Sequence, residues 1–262
     1  MTDNLLQDLL RQRGDSGRFD PKEALPTRKA EAWKYTDLKR LDKFGWSVWL
    51  AEDSHGVTAI PGTALKIEGA INIVLVNGFL DRAWSWGWVA EILQGEGIRC
   101  VAWDWRGHGE TERVGAGGYY HFPDYVRDLD ELLPQLRHED AAPHLVGHSM
   151  GGTVATMFAG LRSDRLRSLV LVEGLGPPAH AFDQTPHQFT AWLDGVAKQR
   201  ARTKPKTPMS LDQAVGRMRV QNPALTDEQG RFLADKSTRV EGEGRVWRFD
   251  PLHRTTSPMP VS

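Results

Sequence analysis

Hydrophobic and polar positions divide the chain into three blocks. Residues 1–45 are rich in charge, and Leu5, Leu6, Leu9 and Leu10 recur at helical spacing behind Asp3, a fitting N-cap. A second helical stretch is expected over Pro26–Leu41, with Thr27 as its cap. Residues 46–70 are irregular, with short strands expected at Trp46–Leu50 and Leu65–Ile67 and turn residues Gly56, Pro61 and Gly62 between them.

From residue 71 the pattern changes to alternating strands and helices. Ile71–Val76 is an apolar run that stops at Asn77-Gly78, as a buried parallel strand does. Arg82–Leu93 reads as a helix, Ile98–Trp103 as a strand, and Phe122–Leu136 as a helix with Pro123 in its first turn. His144–Gly147 and Ser168–Val172 read as strands, separated by the helix Met150–Leu161. This order predicts a mostly parallel sheet with helices on both faces. After Gly174 the alternation stops, and helices are expected near Gln188–Gln199, Leu211–Val220 and Asp227–Lys236. Lys198–Lys206 carries five basic residues and no acid, and reads as a solvated loop between lid helices. The expected division is a helical segment over 1–45, an α/β core over 46–174, and a helical lid with the C-terminal end over 175–262.

Composition narrows the function classes. Lys and Arg number 33 against 34 Asp and Glu, which speaks against the broad basic surface of a nucleic-acid binder. Cys100 is the only cysteine, so neither an intrachain disulfide nor a cysteine metal cage is available, and no cofactor or metal is expected. The N-terminal residues lack the apolar core of a signal peptide, and the apolar runs are strand-sized. A cytoplasmic protein without membrane contact is expected.

Gly147-His148-Ser149-Met150-Gly151 fits G-x-S-x-G between a strand and a helix. A serine at such a turn has a strained backbone that pushes its hydroxyl out at the top of the sheet. Side chains at the flanking glycines would strike the neighbouring strand and helix. Ser149 is therefore the candidate nucleophile, and the following helix points its N-terminal amides at the site. The backbone amides of Met150 and of Phe79, in the loop after Val76, are the candidate oxyanion hole. His148 is expected to point elsewhere, because neighbours at a sharp turn diverge. Asp104-Trp105-Arg106-Gly107-His108-Gly109 is expected to form a structural turn with an internal Asp/Arg ion pair.

Taken together these residues resemble the α/β-hydrolase superfamily. The likeness runs from residue 71 to about 255 and is carried by Asn77-Gly78-Phe79, Trp84-Ser85-Trp86, the 104–109 loop, Gly147–Gly152 and Leu169–Gly174. It implies an ester, thioester or similar acyl substrate, a Ser–acid–His triad in that chain order, and no cofactor. The family usually has His-Gly where this chain has Asn77-Gly78. Glu173, at the end of its strand, stands at the earlier of the family's two acid positions. His180, His187 and His253 are the histidines after Ser149; none falls on the loop where the family carries its base, and His253, the last of them, is the one that could stand in for it. The chain thus reads as a C-terminally truncated, partial hydrolase fold of impaired activity. The lid, about 175–250, is expected to close an apolar pocket lined by Trp84, Trp86, Phe158 and Trp192. Ser168–Val172 would be an exposed apolar edge that invites self-association.

Leu25–Leu38, followed some forty residues later by Ile73–Gly78, resembles the N-terminal region of the Suf-type iron–sulfur assembly scaffold family. That likeness covers at most residues 1–80. It implies an assembly role, whereas a cluster needs thiolate or imidazole ligands. A composite chain accounts for both resemblances. Two functions follow: a serine hydrolase for a small acyl substrate, or a catalytically silent binding or assembly module.

Overall fold

A computed structural model describes residues 71–136, 142–174, 176, 182–202, 207–255 and 257, together with the backbone of 33–39 and 45–51. Six strands form one sheet: β1 (Trp33–Lys39), β2 (Gly45–Ala51), β3 (Ile73–Val76), β4 (Cys100–Trp103), β5 (His144–His148) and β6 (Ser168–Val172). Their order is β1-β2-β4-β3-β5-β6. Strands β4, β3, β5 and β6 are mutually parallel. β2 runs antiparallel to both its neighbours, with Val48 opposite Trp103 and Ala51 opposite Cys100.

The helix expected over Pro26–Leu41 is corrected in its described part, which is strand β1. Trp33, Tyr35 and Thr36 favour strand, and a seven-residue ladder with β2 supplies their backbone partners. The helix at Leu5–Leu10, the strand at Leu65–Ile67 and most of the segment resembling an iron–sulfur scaffold lie outside the described residues. Of its described parts, Trp33–Leu38 lies in β1 and Ile73–Val76 is the central parallel strand β3 of this sheet.

Both faces of β3 and β4 are covered, which explains why their sequences are continuously apolar. Val74, Val76, Val101, Trp103 and Leu145 face helices α2 (Phe122–Leu136) and α3 (Met150–Leu161). In α2, Leu129, Leu132, Leu133 and Leu136 follow the i, i+3, i+4, i+7 pattern and are all buried. Each such leucine contributes about 1.5–3 kcal/mol of burial. On the opposite face Leu75, Cys100 and Ala102 pack against Ala83, Trp86 and Ala90, from the turn Ala83–Trp86 and helix α1 (Gly87–Gly95).

Beyond β6 come α4 (Thr185–Arg200), α5 (Leu211–Gln221) and α6 (Asp227–Ser237), close to the positions the sequence predicts. Capping boxes, Ser210 with Gln213 and Thr226 with Gln229, start α5 and α6. These two helices share a small core of Met209, Ala214, Val215 and Ala234. A hairpin follows that the sequence reading did not anticipate, β7 (Thr238–Glu241) and β8 (Gly244–Trp247). Its signal was present: Gly242, with φ of 60°, opens a two-residue turn between two β-rich stretches. Finally the single turn Pro251–Arg254, capped by the Asp250 side chain accepting from Leu252 N–H at 3.0 Å, returns the chain to the core. No helix among the described residues is long and apolar enough to cross a membrane.

Candidate active site

In the sheet order β4 and β5 lie on opposite sides of β3, so the connections leaving β3 and β4 diverge. Such a switch point leaves a crevice at the carboxyl ends of the central strands. Asn77–Leu80 follows β3 there, and Ser149 follows β5. Ser149 has φ of 51° and ψ of −118°, and is tied to the next strand by its N–H donating to the Val172 carbonyl at 3.1 Å. A side chain at position 151 is sterically excluded: a Cβ on Gly151 would lie 2.5 Å from the Val76 carbonyl oxygen. One on Gly147 would lie 2.7 Å from that of Gly151. The strand–turn–helix is therefore drawn tight behind Ser149, whose side chain opens into a cavity of about 430 Å³.

Phe79, Met150, Glu173 and His253 line that same cavity. The amide N–H groups of Phe79 and Met150 have no hydrogen-bond partner among the described residues. Gly147 and Gly151 stand behind the serine. The His148 ring turns toward Trp86, with 6.4 Å between ring centroids and an edge-on arrangement, and is not part of the cavity wall. Leu80, Ser149 and Glu173 are the non-glycine residues with positive φ among the described residues, and all three lie in or beside this wall. Such conformations cost about 1–3 kcal/mol each and collect at functional sites.

The 104–109 loop is not built as the sequence suggests. Asp104 and Arg106 do not pair with each other; each pairs with a distant element. Arg82 donates from Nε and Nη2 to Asp104 Oδ2 at 3.0 and 2.6 Å, and also to the Lys236 carbonyl. Arg106 grips Asp128 of α2 with two bonds of 2.6 and 2.5 Å. Side chains at a tight glycine turn splay apart, so neighbours two apart seek different partners. The loop holds its neighbour after β3 at several points. Trp105 Nε1–H donates to the Asn77 carbonyl at 2.9 Å, and Ala83 N–H to Asp104 Oδ1 at 2.9 Å. Asn77 itself donates to the Gly78 carbonyl at 3.3 Å.

His253 is 6 % exposed and stacks on Tyr120, with 3.9 Å between centroids. Its Nδ1 meets the Tyr125 hydroxyl at 3.3 Å. Its Nε2 has no partner among the described residues and faces Gly107, where a Cβ would come within 2.6 Å of it. Burial, and then the nearby His108, hold the His253 imidazole well below its ordinary range. Glu173 is exposed at the rim, and no histidine bonds to its carboxylate among the described residues. No hydrogen bond reaches Ser149 Oγ among them either. The serine, the two amides, Glu173 and His253 thus share a cavity, while serine, imidazole and carboxylate are not linked in a chain.

The pocket walls expected from the tryptophans need correction. Trp86 and Phe158 belong to the two buried cores. Trp84 packs edge-on against Phe232, at 6.0 Å, and lines a different cleft. Trp192 sits behind Tyr119 at 5.4 Å. The aromatics that line the cavity are instead Phe79, Tyr119, Tyr120, Phe122 and Tyr125, joined by Leu252. The aromatic run Tyr119–Phe122 at the start of α2 is the sequence signal for them. No group of three or more His, Cys, Asp or Glu side chains is placed to hold a metal ion among the described residues.

Comparison with known proteins agrees with this fold. The family described as alpha/beta hydrolase fold matches residues 71–258. A serine hydrolase-like protein of Danio rerio is 28% identical over 184 residues, covering 68% of this chain and 54% of that protein. The chain spans about half the length of the curated relatives it matches. Among solved structures, a hypothetical protein of Pseudomonas aeruginosa PAO1 is 25% identical with a TM-score of 0.69, covering 87% of this chain and 74% of that one. A thioesterase domain from the curacin biosynthetic pathway is 24% identical with a TM-score of 0.71, over 86% and 73% respectively, and shares the fold. With its parallel sheet, its serine at the tight turn after β5 and a family match covering most of its length, this chain belongs to the alpha/beta-hydrolase fold family.

Proposed function

We propose that the protein is a serine hydrolase acting on a small, apolar acyl ester or thioester. Ser149 Oγ attacks the acyl carbonyl carbon. The Phe79 and Met150 N–H groups then receive the charge on the carbonyl oxygen, each donor contributing about 3–4 kcal/mol to the transition state. The Ser149 hydroxyl proton passes through solvent to the departing alkoxide or thiolate as the tetrahedral intermediate collapses, and water then hydrolyses the acyl–Ser149 ester to the free acid and regenerates the hydroxyl. The observation that carries this reading is Ser149 itself, strained to a φ of 51° at a strand–helix turn and opening into the cavity beside two unclaimed amides. The aromatic wall fits an uncharged acyl group, and Glu173 at the rim disfavours an anionic one.

Turnover is slow in this reading. His253 is the histidine in the cavity wall among the described residues, and its ring is engaged by Tyr125 and Tyr120. A serine without an adjacent base is a weak nucleophile. Oriented donors alone still support residual catalysis. The same unlinked arrangement favours a second reading, a binding module without turnover. An iron–sulfur assembly role for the N-terminal residues finds no ligand in Cys100, which is buried in β4 with its thiol pushed up to about 12 by burial.

A fluorophosphonate probe separates these readings. Wild-type protein is expected to be labelled at one site, and S149A not at all. Labelling that persists in S149A removes Ser149 as the nucleophile, and a folded wild type that does not label favours the silent module.

A further inference from the structure

Leu80 follows Phe79 directly and has left-handed backbone, with φ of 59°. Leucine has no intrinsic preference for this region, so the surrounding structure must hold it there. Two hydrogen bonds bear on it: Asp81 N–H donates to the Gly78 carbonyl at 3.4 Å and closes the turn over Phe79–Leu80, and Leu80 N–H donates to His108 Nε2 at 3.2 Å, across 28 residues of chain. On the other side of the ring, His108 Nδ1 lies 3.1 Å from the Arg106 carbonyl oxygen. An amide N–H can only donate and a carbonyl can only accept. The two partners therefore fix the imidazole as neutral, with its proton on Nδ1 and its lone pair on Nε2. The ring is fully buried and backed by His253, 4.1 Å away. It rides on the 104–109 loop, which Asp104 and Arg106 anchor to Arg82 and Asp128.

We propose that His108 is a positioning residue for the oxyanion hole. Its Nε2 lone pair keeps Leu80 left-handed, and Leu80 in turn sets the plane of the Gly78–Phe79 peptide, whose N–H is the donor proposed above. Without the acceptor, Leu80 relaxes toward negative φ, the chain around Phe79 rotates, and one of the two donors leaves the line of the developing oxyanion. The effect falls on the transition state, because the ground-state acyl group is held by the cavity walls rather than by that donor. This inference rests on Phe79 being an oxyanion donor, the reading given above.

The test compares H108L, which keeps volume but has no acceptor, with H108Q, whose amide oxygen reaches about the position of Nε2. With a p-nitrophenyl ester, H108L is expected to lose kcat roughly tenfold or more with KM within about twofold, and to label more slowly with fluorophosphonate. H108Q recovers most of the loss. Hydrogen exchange at the Leu80 amide is expected to be fast in H108L and protected in wild type and H108Q. An unchanged acylation rate in H108L, or equal losses in H108L and H108Q that track their melting temperatures, overturns the proposal. If H108L does not fold, nitrogen NMR of the wild-type histidines decides: a proton on His108 Nε2 rather than Nδ1 overturns it. A wild type whose Ser149 never labels defeats the oxyanion reading instead, while the tautomer and the Leu80 exchange still report on the loop contact.

Discussion

Around Ser149 the strained residues are Leu80, Ser149 and Glu173, and their neighbours are buried groups that cannot ionise freely. His108 is pushed down to about 4 by burial, and His253 lies well below its ordinary range for the same reason. In the unfolded chain both titrate near pH 6.5. Between those limits the unfolded state binds more protons than the folded one, so acid favours unfolding. Stability contributed by the neutral rings is present above about pH 6.5 and is lost as pH falls. For His108 the loss reaches about 3 kcal/mol by pH 4. Asp81, whose carboxyl burial pushes up, opposes this at the acid end. Urea midpoints are expected to fall from pH 7 to pH 4.5 in wild type, and to fall less in H108Q. Identical slopes in the two proteins would assign the acid sensitivity to other groups.

Among elements, the two loops after β3 and β4 behave as one unit. Asp104 is completely buried and accepts from Arg82, from Ala83 N–H at 2.9 Å and from Glu110 N–H at 3.2 Å. Arg82 also donates to the carbonyl of Lys236, near the end of α6, so α6 is fastened to the same carboxylate. Removing one member of a buried pair leaves the other charge unpaired and costs about 3–5 kcal/mol. D104A is expected to lose stability in that range and to lose acylation by Ser149 as well, because the loop carrying Phe79 comes free. Differential scanning calorimetry with fluorophosphonate labelling below the melting point checks both parts. Full labelling in a destabilised but folded D104A would separate the loop's anchoring from the serine's chemistry.

At the scale of the whole molecule, the sheet ends at β6. Its outer side has no strand partner among the described residues, and Val172 there is 45 % exposed. An open apolar edge is a template for pairing with another chain. Pairing of two copies through this edge predicts species heavier than 29.4 kDa in sedimentation velocity at micromolar concentration. V172K is expected to shift the distribution toward monomer. A wild type that stays monomeric over the whole concentration range rejects the edge as a contact surface.

What the sequence determined by itself is what neighbours in the chain decide. The apolar runs of β3 to β6, the leucine spacing of α2, and the glycines around Ser149 are local patterns, and the elements they predict appear within a few residues of their expected ends. The placement of Phe79 and Met150 in the wall of the Ser149 cavity was legible because a strand end and a helix start fix where these residues stand. The stretch Trp33–Lys39 was not, since the charged residues around it read as helical, while the partner strand β2 that makes it a strand is supplied only by the fold. Nor were the partners of Asp104 and Arg106, the place of His253 in the wall of the Ser149 cavity, or the bond from Leu80 to His108. Each of these joins residues more than twenty positions apart, and sequence spacing carries no distance for such pairs. Only packing the sheet between its helices brings the 104–109 loop against the turn after β3, and that contact gives two ordinary-looking histidines their buried surroundings.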